Sequence, residues 1–480
     1  MPRGEDVPRT TWLALAALTA LGAALRLYGL DTQSLWNDEL GGFKDATDPS
    51  LEAIFLYGPS PDHLPAYFLL LRVWVAAMGD SETLLRLPSA LCGIATIPAM
   101  FALGRRWFGP REGLIAAAVT AVAWAPVYHS QEARPYALLL LGVVLSSVWV
   151  TDVVRGLRVG GSAPRGALVG AAIAAIVTSQ AHFFGTLFIA LQAATAAVAT
   201  WRSRGLRTVV ALYAVVALAF LPAAYRFLQV MPEAAPWMPL PTAKAPWALL
   251  LFLFNDSVPL LVAVLALWSA LLVRTTRTPA GATTTWLAIV WLCAPVAFAF
   301  AYSHWRQPIF LSRALLIVLP AAYLLVARAL TQLRAPRPLA VALAAGLCGV
   351  LLVDLVAARD YYTRPTKTQF REAAGYLVAH DRPAEPAWVL ACAFSPRYFD
   401  YYLRRLGSPR RVEVAIRNPA EAAEQAQRVA AQRPERVWLL AGHLACDPGL
   451  IAALTAEMEL VDHRALHNAG VWQFRRREAR

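Results

Sequence analysis

The residues best suited to chemistry stand together in one stretch, Leu35-Trp36-Asn37-Asp38-Glu39. Two neighbouring carboxylates beside a tryptophan offer a general base and a partner for it, and Asp38 and Glu39 are the candidate catalytic residues. Adjacent residues in an extended or irregular connection point in different directions, so these two do not face each other across a substrate as the paired acids of a glycosidase do. One carboxylate acting as base, with the other as orienter or metal ligand, is the arrangement that their spacing allows. A divalent metal ion at Asp38 and Glu39 is compatible with this arrangement and not required by it; no other cofactor is implied. Solvated loop acids are the plain alternative. Against that alternative stands the setting, a polar connection over residues 31–63 with seven acids and one lysine, Lys44, too long to be a mere link.

Three further polar groups interrupt an otherwise apolar chain. His63 stands just before a proline-started helix, in His63-Leu64-Pro65-Ala66-Tyr67, where its imidazole or the helix amides can meet an anion. An interfacial histidine with a tyrosine anchor is the equal alternative. The island Tyr128-His129-Ser130-Gln131-Glu132-Ala133-Arg134-Pro135-Tyr136 lies between two apolar runs, and ionisable groups at such a place are functional candidates because they are costly in lipid. Its bland reading is an ion pair between Glu132 and Arg134. His182 and Arg313 lie at the outer ends of spans. An arginine that begins a span on the outer side opposes the usual charge distribution, which is explained by an anionic partner or by snorkelling.

Hydrophobic helices must position these groups. Of the 480 residues, 58% are hydrophobic and 16% charged, against about 45–50% and about 25% for a soluble domain. Apolar runs near twenty residues recur through the first three quarters, as crossing a hydrocarbon core of about 30 Å requires. Backbone satisfaction in lipid makes them helices. The net charge of +13 falls largely in short loops, where arginine sets topology, so nucleic acid is not an expected partner. The run over residues 11–30 is long for a signal-peptide core and lacks a small-x-small cleavage site, so it reads as a retained anchor.

With a cytoplasmic N-terminus, the connection 31–63 lies outside. Residues 64–79 are short for a span, and placing them in the outer interface, or only partway into the membrane, keeps every later arginine loop inside. Eleven spans then run to residue 358, and the remainder lies outside. Residues 359–480 read as a soluble α/β module with strands at 387–393 and 436–441 and helices at 367–380, 395–406 and 419–432. Alternation of strand and helix predicts a small parallel or mixed sheet. Cys392 and Cys446 fall in this module, where a disulfide is permitted. The expected domains are thus 1–358, a transmembrane domain holding the catalytic loop 31–63, and 359–480, an extracytoplasmic domain. The fold class is a polytopic α-helical membrane protein with a small α/β domain.

Read in order, the motifs resemble the GT-C glycosyltransferase superfamily, specifically glycosyltransferase family 39, which holds protein O-mannosyltransferases and bacterial aminoarabinose transferases. The resemblance rests on Trp36-Asn37-Asp38-Glu39 after the first span, His63-Leu64-Pro65, Arg86-Leu87-Pro88-Ser89-Ala90, Ser130-Gln131-Glu132-Ala133-Arg134-Pro135-Tyr136 and Ser312-Arg313-Ala314-Leu315-Leu316. It implies that Asp38 is the catalytic base, with Glu39 its neighbour in the motif. It further implies inverting transfer from a polyprenyl-phosphate sugar to an extracytoplasmic hydroxyl, in the bacterial plasma membrane. The mannosyltransferases carry a lysine after the histidine-proline element; here no lysine follows His63, and Glu132-Ala133-Arg134-Pro135 replaces their aspartate-proline. Arg134 and Arg313 are then the cations for the lipid phosphate, with His63, Glu132, Tyr136 and His182 as further binding candidates. The reading from another class is a transporter or lipid flippase with an external binding domain, which would place ionisable groups at mid-span rather than at one face.

Overall fold

The computed structural model describes residues 7–477 apart from 49, 51–53, 55–63, 160, 231–237, 278–281 and 334–335. The chain divides into two compact units. One comprises Met1–Tyr28 and Asp45–Asp360, the other Gly29–Lys44 and Tyr361–Arg480. The stretch that carries Asp38 therefore packs with the C-terminal module, although it is linked at both ends to the helical unit.

The first unit is built from helices α1 (Arg9–Leu27), α3 (Pro65–Met78), α4 (Glu82–Trp107), α5 (Pro110–Val122), α6 (Trp124–Ser130), α7 (Tyr136–Val159), α8 (Arg165–Ala181), α9 (Phe183–Thr200), α10 (Gly205–Val230), α11 (Ala245–Leu253), α12 (Val258–Arg277), α13 (Ala282–Trp305), α14 (Leu319–Gln332) and α15 (Arg337–Val353); helix α2 is Asn37–Ala46. All eleven expected spans are helical. Nine are long and apolar enough to cross a membrane among the described residues, α5 with α6 makes a bent pair, and α8 has 17 residues. Helix α3, at 14 residues, is about 21 Å long; it falls short of a hydrocarbon core, in keeping with the expectation for residues 64–79. The core centres on the run Ala314–Val318, a 3-10 turn, and α14, whose residues from Leu319 to Leu330 are all buried except Arg328, which pairs with Glu112 at 3.0 Å.

The span expected as continuous over residues 113–129 is broken instead, with α5 and α6 meeting at 59°. Pro126 lacks an N–H and its ring clashes with the carbonyl four residues earlier, so the helix cannot run through. The break leaves carbonyls of the last turn of α5 without helical donors. Arg26 supplies them: its guanidinium donates to Ala121 O at 3.0 Å and Thr120 O at 2.8 Å, and to Ser130 Oγ at 3.2 Å. On the other side Asn255, held at φ 57°, accepts the Trp124 N–H at 2.9 Å. Gln131 completes the exchange by donating to the terminal carbonyls of α1 at Leu25, Arg26 and Tyr28. Gly93 makes room for this, since a Cβ there would lie 1.9 Å from Ser130 Oγ.

The second unit is a five-stranded mixed sheet of order β2-β1-β3-β5-β4, with β1 Trp388–Cys392, β2 Val414–Ala415, β3 Arg436–Gly442, β4 Met458–Leu466 and β5 Ala469–Arg476. Strands β2, β1 and β3 are parallel, and β5 is antiparallel to β3 and β4. Helices α16 (Phe370–His380), α17 (Arg397–Arg405), α18 (Pro419–Gln432) and α19 (Pro448–Glu457) complete it. Every residue of β3 is buried, as the near-continuous apolar run of a central strand requires. Cys392 and Cys446 form a disulfide with Cα atoms 5.3 Å apart. The C-terminal hairpin lies beyond the strands read from the sequence. Its signal was the turn at His467-Asn468, with Asn468 at φ 50°.

Candidate active site

Residues 31–39 are fastened almost residue by residue to the start of the C-terminal module. Arg371 donates to the carbonyls of Asp31 and Thr32 at 2.7 and 2.8 Å. The Gln33 side-chain oxygen accepts from the Thr366 and Lys367 amides at 2.9 and 3.0 Å. Ser34 Oγ donates to Thr368 O at 2.6 Å, and the Leu35 amide donates to the Tyr402 hydroxyl at 2.6 Å. Backbone groups of an irregular segment must find partners when buried; here the partners come from more than 300 residues further along the chain.

The pentapeptide is the start of a helix rather than an irregular loop. The Leu40 amide donates to Trp36 O at 3.0 Å, opening α2 with Asp38 and Glu39 in its first turn, where acids complement the helix dipole. Glu39 reaches back to accept the Trp36 amide at 3.3 Å, half of a capping box. The same oxygen accepts from the Lys367 ammonium at 3.2 Å, and both side chains are buried. Asp38, one position earlier, is half-buried and accepts from Asn37 Nδ2 at 3.3 Å. The two neighbouring acids are thereby divided in role: Glu39 is bound inward and Asp38 is left on the half-exposed side of the first turn.

Within the helical unit the polar island folds into a cationic cluster. Tyr136, which starts α7, has the Arg134 guanidinium 5.9 Å and the Arg313 guanidinium 6.0 Å from its ring centroid. The His182 ring lies 5.8 Å from the same tyrosine. His182 occupies the connection between α8 and α9 and caps α9, its Nδ1 accepting the Phe184 amide at 3.1 Å. Burial, aided by the charges of Arg134 and Arg313, pushes its pKa down to about 3, so the imidazole is neutral. Beneath them His129 Nδ1 donates to Glu132 at 2.9 Å in a buried pair. Arg134 is set from behind: Tyr67 donates to Ser89 Oγ at 2.9 Å, and Ser89 donates to Arg134 O at 3.2 Å. Trp291 Nε1, donating to Ile317 O at 2.7 Å, holds the 3-10 turn that follows Arg313.

Of the residues singled out in the sequence, Glu132, Arg134, Tyr136, His182 and Arg313 share this neighbourhood, while Asp38 and Glu39 belong to the other unit. His63 lies outside the described residues. Among the described residues no group of three or more His, Cys, Asp or Glu side chains converges as a metal site. Lys367, Gln33 and Tyr402 were not singled out beforehand. One signal for Lys367 was available: the chain has only three lysines, Lys44, Lys244 and Lys367, among 44 basic residues, so a lysine where arginine is the rule marks a place that needs a compact ammonium.

No protein-family model and no curated protein sequence matches the chain. Solved structures do. ArnT from Cupriavidus metallidurans bound to undecaprenyl phosphate is 17% identical, with a TM-score of 0.59 over 97% of this chain and 98% of that one. The oligosaccharyltransferase of Archaeoglobus fulgidus, in complex with zinc and sulfate, is 12% identical, with a TM-score of 0.51 over 89% of this chain and 67% of that one. The likeness is one of fold: this polytopic helical chain with its C-terminal sheet shares the fold of those two proteins.

Proposed function

We propose that this chain is an inverting glycosyltransferase of the family 39 type, moving a sugar from a polyprenyl-phosphate donor to a hydroxyl on an extracytoplasmic acceptor. Asp38 takes the acceptor proton as the hydroxyl oxygen attacks the anomeric carbon. The bond from that carbon to the phosphate oxygen breaks, and polyprenyl phosphate leaves. A single displacement inverts the anomeric centre. A positioned base of this kind contributes about 10²- to 10⁴-fold. Arg134 and Arg313 take the charge that grows on the leaving phosphate, an electrostatic role that needs fixed cations in an apolar surround. Neutral His182 adds a donor without adding a competing charge.

The observation that carries this reading is the convergence of Arg134 and Arg313, far apart in sequence, on Tyr136. Two guanidinium groups facing one ring make the surroundings of Tyr136 electropositive, and guanidinium suits phosphate. The GT-C fold and a neighbour with undecaprenyl phosphate bound support the lipid donor. The arginine distribution favours a cytoplasmic N-terminus and an external C-terminal module, and the resemblance to the bacterial branch of the family implies the plasma membrane.

The test is a transfer assay in nanodiscs with a panel of labelled undecaprenyl-phosphate sugars and an envelope extract as acceptor. Asp38→Asn should lower release of undecaprenyl phosphate by about 10²-fold or more with an unchanged melting temperature. Full activity in that variant would remove Asp38 from the role of base. In liposomes, label crossing the bilayer with no release of undecaprenyl phosphate would replace the reading with that of a flippase.

A further inference from the structure

The second unit carries an aromatic shelf that nothing above uses. Strands β1 and β3 are parallel neighbours with Cys392 opposite Ala441. Two residues further on, past the ends of both strands, stand Phe394 and His443, whose ring centroids are 5.9 Å apart. The His443 ring is in turn 6.3 Å from that of Trp36, two residues before Asp38. Phe394 is 48% exposed and His443 is exposed, so this row of rings is not core. In open α/β sheets the carboxyl ends of parallel strands are where ligands bind.

The chain spends stability to keep this shelf in shape. His443 sits at φ 66°, left-handed backbone that costs a residue with a Cβ about 1–2 kcal/mol. Gly442 before it has no room for a side chain, since a Cβ would lie 2.2 Å from the Phe370 ring. The Cys392–Cys446 disulfide ties the end of β1 to the loop after β3, on either side of Phe394 and His443. The His443 amide donates to Asn468 O at 3.0 Å, which brings the polar turn of the β4–β5 hairpin to the rim. Strain held in place by a cross-link and a glycine, under exposed rings, is a mark of a ligand site.

We infer that Trp36, His443 and Phe394 form an acceptor subsite that takes a pyranose ring, which rests on the assignment of Asp38 as base. A pyranose has an apolar C–H face and a rim of hydroxyls. Aromatic faces cover the first, while the exposed His443 imidazole is suited to the second, the usual division of labour in a small-molecule site. Trp36 caps the helix whose first turn holds Asp38, so a ring stacked there is brought to the end of the chain that bears the base. The acceptor class is thereby a glycan rather than a polypeptide or a bare lipid hydroxyl.

The full-length protein in nanodiscs is titrated with gluco-, galacto-, manno- and N-acetylglucosamine-configured trisaccharides and read by saturation-transfer NMR. At least one should show transfer to its ring C–H protons, and Phe394→Ala or His443→Ala should weaken its binding about tenfold with the melting temperature unchanged. Phe394 is exposed, so its removal does not compromise folding. Undiminished transfer in both variants, or no transfer with any of the four sugars, overturns the shelf. Asp38→Asn separates the two readings: it should keep the binding signal while losing transfer, whereas a wild-type protein that binds the sugar but shows no transferase activity would overturn the catalytic reading while leaving the shelf in place.

Discussion

The Lys367 ammonium lies 3.2 Å from the Glu39 carboxylate, and the two side chains are 4% and 0% exposed. A buried pair of this kind contributes little net stability compared with an apolar one, but breaking it from one side leaves an uncompensated charge, at about 3–5 kcal/mol. Lys367→Met should therefore destabilise the second unit by roughly that amount. It should also loosen the turn that presents Asp38, lowering kcat more than it raises KM for the donor. Adding Glu39→Gln to Lys367→Met should restore part of the stability, because it removes the orphaned charge. Denaturant unfolding of the wild type and the two variants in detergent checks this; a double variant less stable than the single would contradict it.

Arg134 and Arg313 should act on the same ligand atoms. A charge-assisted bond to phosphate is worth about 1.5–3 kcal/mol, so Arg134→Ala and Arg313→Ala should each weaken undecaprenyl phosphate binding about 10- to 100-fold. Arg313→Lys should fall between wild type and alanine, since an ammonium keeps the charge and loses the planar fork. Native mass spectrometry with undecaprenyl phosphate provides the measurement, and unchanged affinity in both alanine variants would argue that the cations are structural.

His182 sets a pH dependence with a definite sign. Its pKa falls from 6.5 to about 3 on folding, so between those values the unfolded chain binds a proton that the folded one refuses. Stability from this group is fully present above about pH 6.5 and is lost as pH falls toward 3, with a limiting slope of about 1.4 kcal/mol per pH unit. Between pH 7 and pH 5 the melting temperature of the wild type should fall faster than that of His182→Gln. Parallel curves would show that His182 does not remain neutral in the fold.

The Cys392–Cys446 bond closes a long loop, with its ends 54 residues apart. On chain-entropy grounds such a cross-link contributes about 4 kcal/mol. The double variant Cys392→Ser with Cys446→Ser should lower the stability of the second unit by about 2–4 kcal/mol, measured by amide hydrogen exchange in β1 and β3. Exchange in α14 should stay as it was, because that helix belongs to the other unit.

Much of this molecule is legible in short stretches of chain. Length and hydropathy are local properties, so the eleven helical spans, the shortness of α3 and the strands β1 and β3 could all be read from the residues that form them. Pro126 in the middle of an apolar run likewise marked a break, though the uninterrupted hydropathy of residues 113–129 hid it. The types of the candidate residues were legible for the same reason: Arg134 and Arg313 stand out because lipid makes ionisable groups costly wherever they occur.

Their partnerships were not. That Glu39 would turn inward to Lys367, 328 residues away, depends on how the C-terminal module folds onto residues 29–44, and no spacing rule reaches that far. The same holds for Arg26, whose guanidinium caps a helix break some 95 residues later, and for the meeting of Arg134 with Arg313 around Tyr136. Asp38 and Glu39 make the division plain. As neighbours of the same charge in one motif they are interchangeable on paper, and only the tertiary structure separated them, by giving Glu39 a buried cation and leaving Asp38 half-exposed at the start of a helix.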